Sequence, residues 1–140
     1  MHEATRRIEW DMGHRVPLHG GKCKTPHGHR YAAEITVRGD IGREGFVLDF
    51  ADIKTLVGGW VDEHLDHTTA YQRGDAMMTA IAAINDATGE LKPFFVMAEA
   101  PTAENLARLI GLEAQRLLDG VDVVEVKIWE TPNCSATWRP

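Results

Sequence analysis

Alternating apolar and polar positions predict strands near both ends of the chain. Residues 30–38 (RYAAEITVR) alternate and end before a Gly-Asp pair, as a strand followed by a turn does. Residues 5–12 could pair with this strand as a hairpin around the intervening loop. Residues 121–129 alternate in the same way, and residues 136–139 are expected to return across a turn at Pro132-Asn133. The pattern therefore predicts a hairpin at each end of the chain.

Helical periodicity predicts two clear helices and a weaker third. Apolar residues recur at helical spacing across residues 51–63. Thr102 followed by Glu104 is typical of an N-cap region, and the apolar positions after it continue to a stop near Gly120. Residues 75–85 show a weaker helical pattern that Gly89 closes. Short apolar runs predict two further strands, at residues 46–50 and 94–97.

This order of elements predicts an α+β fold with a mostly antiparallel sheet, because hairpins at both ends carry the helices to one face. The sequence contains no internal repeat, no low-complexity tract and no dividing linker. A length of 140 residues fits one domain that spans residues 1–140.

Composition and charge narrow the class of partner. The hydrophobic fraction of 44% and the charged fraction of 26% are those of a globular protein rather than a disordered one. The net charge of −6 argues against nucleic acid, because binding a phosphate backbone requires a basic face. No apolar run approaches the roughly 20 residues of a membrane-spanning helix, and residues 1–10 carry no apolar signal segment. We therefore expect a cytoplasmic protein that binds neither nucleic acid nor membrane.

Seven histidines against two cysteines indicate metal or acid/base chemistry rather than a disulfide framework. His27 and His29 are separated by one residue, so in an extended chain both imidazoles project from one face. Such a pair alone is more often two surface residues, but the predicted hairpin can bring His14 beside it. Three neutral nitrogen ligands without a fourth protein ligand are typical of an open, catalytic zinc site. Two further histidines, His19 and His64, are interpreted as surface residues.

Cys23 is the candidate nucleophile or general base. It lies four residues before His27, between Lys22 and Lys24, where ammonium groups and a nearby divalent cation would favour the thiolate. An unpaired cysteine in a glycine-rich loop is prone to oxidation, so its presence there favours a functional role. Cys134 has no such context and is interpreted as a packing residue.

Carboxylates supply the remaining candidates. Asp66 directly precedes His67, and a hydrogen bond between them would fix the imidazole tautomer, although a polar helix end is the simpler reading. Glu104 could be a first-turn carboxylate that the helix dipole favours, and Glu130 a polar strand end. Either would matter for a ligand with two parallel N–H donors, which a carboxylate accepts together. Residues 12–33 carry four basic residues and no acidic one, so this region suits an anionic substrate such as a phosphate ester.

Together these residues resemble the 6-pyruvoyltetrahydropterin synthase and 6-carboxytetrahydropterin synthase family. The motifs that carry the resemblance are Asp11-Met12-Gly13-His14, Cys23-x-x-x-His27-Gly28-His29, Leu48-Asp49-Phe50, Leu65-Asp66-His67, Pro101-Thr102-Ala103-Glu104-Asn105 and Trp129-Glu130-Thr131. They cover nearly the whole chain in order and are specific as a set. Two features depart from the family: Thr68-Thr69-Ala70 replaces a common continuation to Leu-Asn, and residues 71–100 form a long connection.

The resemblance implies the tunnelling fold, a four-stranded antiparallel sheet with helices on one face. Subunits of this fold assemble sheet edge to sheet edge into β-barrels, commonly as hexamers. The matching positions are His14, His27 and His29 for zinc; Cys23, Asp66 and His67 for catalysis; and Glu130, Glu104 and Thr102 for the pterin. Lys22 and Lys24, from the basic stretch at residues 12–33, are the candidate contacts to a triphosphate.

The implied activity is that of a zinc-dependent lyase in queuosine (7-deazaguanine) biosynthesis. It converts 7,8-dihydroneopterin triphosphate to 6-carboxy-5,6,7,8-tetrahydropterin, acetaldehyde and triphosphate. Two alternatives stay open: a 6-pyruvoyl-forming synthase, which only eliminates triphosphate, and an inactive module that binds zinc and pterin. A folate-route variant is disfavoured, because its members carry a glutamate near the cysteine position and residues 12–33 contain none. Because 140 residues hardly enclose a deep pterin pocket, we expect a neighbouring subunit to complete it.

Overall fold

The computed structural model describes residues 1–140 and builds the fold on one mixed six-stranded sheet. The strands are β1 (His2–His14), β2 (His27–Gly39), β3 (Thr69–Gln72), β4 (Phe95–Met97), β5 (Asp122–Thr131) and β6 (Cys134–Trp138). Their order across the sheet is β4-β3-β1-β2-β5-β6. The pairs β1–β2, β2–β5 and β5–β6 are antiparallel, whereas β1–β3 and β3–β4 are parallel. The predicted α+β class and both terminal hairpins are confirmed.

The expectation of a four-stranded antiparallel sheet is wrong, because two short parallel strands extend it. β3 has only four residues, too few for a visible alternation, and it joins β1 at Gly13 and His14. Parallel strands need a crossover between them, and residues 73–94 supply it from β3 to β4. This crossover accounts for most of the long connection that departs from the family pattern.

The predicted strand at residues 46–50 is also wrong. Residues 43–48 form turns and bends, and Phe50 begins a helix. The carboxylate of Asp49 accepts a hydrogen bond from the backbone N–H of Ala51 at 2.8 Å, which caps that helix. The apolar run is therefore a turn followed by a capped helix end.

Three helical regions follow the predicted positions. The first is continuous through α1 (Phe50–Asp52), a π-helical segment (Ile53–Gly58) and α2 (Gly59–His64). The second, α3 (Ala76–Thr88), begins after the capping side chain of Asp75 and ends at Gly89, whose φ of 63° is left-handed. The third, α4 (Ala103–Leu117), is capped by Thr102 and ends three residues before Gly120. Every helix falls short of the length and apolarity that crossing a bilayer requires.

The core lies between one face of the sheet and two of these helical regions. A cluster of 21 buried apolar residues joins alternate positions of β1, β2 and β5 to the helices, with Trp10, Tyr31, Val57 and Ile110 among its members. The first helical region and α4 thus cover the same face, as predicted. The β1–β2 ladder extends to the pair His14 and His27, so the loop end of this hairpin carries histidines, and His14 is buried there.

Candidate metal centre and active site

Three histidines converge at the loop end of the β1–β2 hairpin, where residues 15–26 connect the two strands. His14 lies directly opposite His27 in the ladder, and His29 follows on the same face of β2. One ring nitrogen of each lies within 4.8 Å of those of the other two, and the Nε2 atoms of His14 and His27 are 3.1 Å apart. The hairpin therefore brings the three imidazoles together, as the sequence predicts.

Hydrogen bonds and burial prepare these rings to bind a cation. Nδ1 of His14 lies 2.7 Å from the carbonyl oxygen of Pro101, and Nδ1 of His27 lies 2.6 Å from that of Thr25. When each Nδ1 donates to its carbonyl, the two Nε2 atoms present lone pairs to one another. Burial lowers the pKa of His14 although the carbonyl of Pro101 and the charge of Glu130 oppose it. The neutral, metal-binding form of the ring is therefore favoured.

His29 completes the donor set. Burial lowers the pKa of its imidazole as well, although the charge of Glu130 opposes the shift. Its Nε2 is buried without a hydrogen-bond partner, 3.6 Å from Oε1 of Glu130. An orphaned buried nitrogen beside two facing lone pairs fits a bound metal ion, and three neutral imidazoles suit Zn²⁺.

A cavity of about 250 Å³ opens beside His14 and gathers several predicted site residues. Cys23 reaches it from a short 3-10 helix (Lys22–Lys24), and Glu130 reaches it from β5. Thr102 and Glu104 line it from the beginning of α4. Four residues from three distant parts of the sequence thus face one cavity next to the metal-binding rings.

The beginning of α4 is tied to the histidines by local contacts. The Thr102 hydroxyl accepts a hydrogen bond from the backbone N–H of Asn105, and the Asn105 amide donates to the carbonyl of Ala100 at 2.9 Å. Between these two contacts lies Pro101, whose carbonyl faces His14. The N-cap that starts α4 therefore also sets the position of the Pro101 carbonyl, which contacts Nδ1 of His14.

Several residues that line the cavity were not predicted as part of the site. Cys134 is exposed and lines the cavity together with Ser135, so the interpretation of Cys134 as a packing residue is wrong. β6 begins at Cys134, which pairs with Thr131 immediately after the turn. A two-residue hairpin loop at Pro132-Asn133 was the available signal, because it returns the next residue to the strand that carries Glu130.

Other predicted residues lie at the edge of the cavity or outside it. His19 is exposed, as expected, yet it also lines the cavity. Lys22 and Lys24 are exposed on either side of Cys23 and do not line it. Their contact with a triphosphate stays a prediction.

Asp66 and His67 form the predicted pair. Nδ1 of His67 lies 2.8 Å from Oδ2 of Asp66, and the other carboxylate oxygen accepts from the backbone N–H of Asp11 at 3.1 Å. Burial alone would raise the pKa of Asp66, but these two hydrogen bonds, with the charges of His67 and Lys92, lower it overall. The ionised carboxylate thus holds the proton on Nδ1 and leaves Nε2 of His67 free to exchange a proton.

The location of this pair differs from that of Cys23. His67 is 73% exposed and lines a second, more open cavity with Asp11, His29 and Arg30. Within one chain, Cys23 and His67 therefore face different cavities.

Three neutral imidazoles with an open side, next to a free cysteine and a carboxylate, are typical of a metal-dependent enzyme rather than a closed structural site. The family model described as 6-pyruvoyl tetrahydropterin synthase matches residues 3–140, and the chain belongs to this family. A protein of Rickettsia bellii named 6-carboxy-5,6,7,8-tetrahydropterin synthase is 39% identical, over 96% of this chain and 97% of its own. A protein of the same name from Haemophilus influenzae is 28% identical over 94% of each chain.

Solved structures share the fold. An uncharacterized protein from Wolinella succinogenes matches with a TM-score of 0.85 at 20% identity, over 99% of this chain and 97% of its own. The 6-pyruvoyl tetrahydropterin synthase of Caenorhabditis elegans matches with a TM-score of 0.70 at 22% identity, over 99% and 94%. The family resemblance carried by the six motifs is thus confirmed by sequence, and the tunnelling fold by structure.

Proposed function

We propose that this protein is a 6-carboxy-5,6,7,8-tetrahydropterin synthase, a zinc-dependent lyase of queuosine biosynthesis. Its substrates are 7,8-dihydroneopterin triphosphate and one water molecule, and its products are 6-carboxytetrahydropterin, acetaldehyde and triphosphate. One observation carries the proposal: His14, Cys23 and Glu130 line a single cavity. The name carried by relatives at 36–39% identity supports the carboxy product.

The pterin is bound at the end of the cavity that carboxylates line. The 2-amino-4-oxo edge of a pterin presents two parallel N–H donors, which the carboxylate of Glu130 accepts together. Thr102 and Glu104, at the beginning of α4, contact the pterin from the neighbouring wall. Lys22 and Lys24 lie close in sequence to Cys23 and are the candidate contacts for the triphosphate.

Proton transfers at the substrate side chain belong to Cys23 and His67. His14, His27 and His29 would hold the zinc ion, which would supply Lewis-acid chemistry that acidifies C–H bonds next to the side-chain oxygens. Cys23 removes or returns a proton from one face of the side chain, within the cavity it lines. His67, with Nδ1 held by Asp66, exchanges a proton at Nε2 on the other face.

This division of labour requires more than one copy of the chain. Because Cys23 and His67 face different cavities, we propose a homo-oligomer in which His67 of a neighbouring copy completes the cavity of Cys23. The family resemblance suggests a hexamer of barrel-forming tunnelling-fold domains, each spanning residues 1–140. Its two free cysteines suit the reducing cytoplasm.

The deciding assay incubates the zinc-loaded protein with 7,8-dihydroneopterin triphosphate and measures acetaldehyde and triphosphate together. Equal release of both products is the expected result. Triphosphate without acetaldehyde would instead identify the 6-pyruvoyl-forming synthase, the activity that the family model is named after.

An inactive binding module is the third possible outcome of this assay. It would release neither product while binding zinc and pterin. A Glu130→Ala variant serves as the control for binding, because a working pocket loses pterin affinity when that carboxylate is removed. Unchanged pterin affinity in this variant would contradict the proposed role of Glu130.

A further inference from the structure

We infer that Lys92 is a positioning residue for His67 and that the connection between β3 and β4 carries it for this purpose. This inference rests on the proposed function, in which His67 exchanges a proton with the substrate. Lys92 lies 25 positions after His67 and outside both cavities. It touches no predicted substrate-binding residue, so its contribution must pass through the turn that carries His67.

Lys92 binds the end of the helix that leads into this turn. Its ammonium group donates to the backbone carbonyl of Asp62 at 2.6 Å and to that of Asp66 at 2.5 Å. Carbonyls at the end of a helix lack partners within the helix, and a cation there also interacts favourably with the helix dipole. We call these two hydrogen bonds the Lys92 clamp. The clamp ties the last turn of α2 to the residue that orients His67.

A second contact from the same segment holds the other side of His67. The buried hydroxyl of Thr68 donates to the carbonyl of Pro93 at 2.7 Å. Residues 92 and 93 therefore hold the chain directly before and directly after His67. The histidine itself is left to face the open cavity.

The backbone of His67 needs such support. Its φ of 57° makes it the one residue other than glycine with a positive φ. A side chain in this left-handed region is strained, and the conformation persists only where the surroundings determine it. Packing does not supply this, because the ring is 73% exposed. Its amide donates to the carbonyl of Asp11 at 2.7 Å, and the clamp supplies the restraint from the opposite side.

The clamp is itself anchored by α3. The side chain of Asn85, only 6% exposed, accepts from the backbone N–H of Leu91 at 2.8 Å. Its amide donates to the carbonyls of Leu91 at 3.2 Å and Lys92 at 3.3 Å. A buried amide that satisfies three backbone groups fixes the path of residues 91–92. Helix α3, in the connection between β3 and β4, thereby determines where the ammonium group of Lys92 lies.

The test compares Lys92→Met, which keeps the aliphatic length but loses the charge and donors, with Lys92→Arg, which restores both. Lys54→Met is the matched control. Lys54 is exposed in the first helical region, whose last turn Lys92 contacts, and its ammonium group makes no ion pair or hydrogen bond. Two experiments are carried out on the zinc-loaded oligomer: amide hydrogen exchange at residues 66–68 is measured without substrate, and steady-state kinetics of acetaldehyde release give kcat and KM.

In Lys92→Met we expect amide exchange at residues 66–68 to rise by roughly 10-fold or more, because two charge-assisted hydrogen bonds are lost. We expect kcat to fall by roughly 10-fold to 100-fold while KM changes by less than about threefold, since the catalytic group is displaced and substrate contacts are intact. Lys92→Arg should recover both values to within about threefold, and Lys54→Met should match wild type.

Three results would overturn the inference. The first is unchanged exchange at residues 66–68 in Lys92→Met. The second is an equal rise in exchange across α4 and β2, which would make Lys92 a general stabiliser of the fold. The third is faster exchange at the turn with an unaltered kcat. If wild type shows no turnover at all, only the proposed function fails, because exchange without substrate still decides whether Lys92 holds the turn.

Discussion

The three-histidine cluster and the Asp66–His67 turn are held by different kinds of contact. The imidazoles lie on one face of a β-ladder, where His14 pairs with His27 and His29 is two residues further along β2, so their positions follow from the register. The turn lies outside regular structure, and His67 is exposed with a positive φ. Its position depends on Asp11 from one strand and Lys92 from a distant connection.

This difference indicates that the histidine cluster is the rigid part of the site and that the Asp66–His67 turn is the adjustable part. A register cannot shift by one residue without moving every side chain to the other face, so the histidine cluster is fixed as strongly as the sheet. A turn held by a few side-chain hydrogen bonds opens at much lower free energy. Metal binding should therefore tolerate changes in the connection that alter the acid/base pair.

The largest expected effect separates the two regions by metal content. His27→Ala removes one of the three candidate zinc ligands. Because losing a ligand costs more affinity than losing an outer-sphere partner, we expect zinc affinity to fall by more than about 100-fold. His67→Ala should keep one zinc per chain. Metal analysis after dialysis against a weak chelator measures both. Loss of zinc from His67→Ala, or its retention by His27→Ala, would contradict the separation.

Turnover should be lost from either region while zinc is retained. Cys23→Ala and His67→Ala each remove a proton-transfer group, which lowers kcat by roughly 100-fold to 10,000-fold. Acetaldehyde release measures the loss. A Cys23→Ala protein with near wild-type turnover would show that the proton-transfer role of Cys23 is wrong.

Mixing these two inactive variants tests whether the regions act across copies. After subunit exchange, a cavity with intact Cys23 from one copy and intact His67 from another can form, so activity should return in part. A mixture of His67→Ala with itself, treated identically, is the control. Absence of recovery in a mixture whose exchange is verified by mass spectrometry would place both groups in one copy.

A smaller effect is expected where α4 packs on β6, the two elements that border the cavity of Cys23. A Cβ atom at Gly111 would overlap the indole of Trp138. Gly111→Ala should therefore lower the free energy of unfolding by about 1–3 kcal/mol, the usual cost of overpacking. Gly59→Ala is the control, because nothing lies within 4 Å of its Cβ position in a helix and the change should stabilise the fold by roughly 0.5–1 kcal/mol. Denaturant titrations measure both, and equal effects would contradict the close packing.

The smallest expected effect is the pH dependence of Asp66. Because its pKa is lowered in the folded chain, the ionised carboxylate stabilises the fold above the ordinary pKa of 3.8, and this contribution disappears as pH falls through the lowered value. Asp66→Asn should be less stable than wild type near neutral pH by about 1 kcal/mol, with the difference shrinking below pH 3.8. Acid titration of unfolding midpoints measures this, and a constant difference would show that the carboxylate charge has no role.

The sequence predicts well the part of the site that lies on β1 and β2, because alternation places His14 opposite His27 once the hairpin is recognised. It predicts the N-cap at Thr102 for a similarly local reason. These inferences depend on neighbours along the chain or directly across one turn. The cluster of three histidines that could hold a metal ion can therefore be predicted from the sequence alone.

The parts of the fold and of the site that the sequence does not predict depend on contacts that no local sequence pattern reveals. β3 is too short to alternate, and its parallel pairing requires a crossover of 22 residues between Gln72 and Phe95. The apolar run at residues 46–50 does not form the predicted strand, because the cap at Asp49 competes with strand formation. Lys92 has no signature in sequence, because its partners are backbone carbonyls, which every residue carries.

The short contact between His14 and the carbonyl of Pro101 has an energetic consequence for the complete enzyme. The residue after Pro101 is Thr102, which lines the cavity, so an ion that orders the His14 ring would also order this wall of the cavity. If zinc and pterin both bind as proposed and this ordering favours the pterin, thermodynamic reciprocity requires that pterin raise the affinity for zinc by the same factor as zinc raises the affinity for pterin. A cell short of zinc would thus retain the ion best on those copies that already hold substrate.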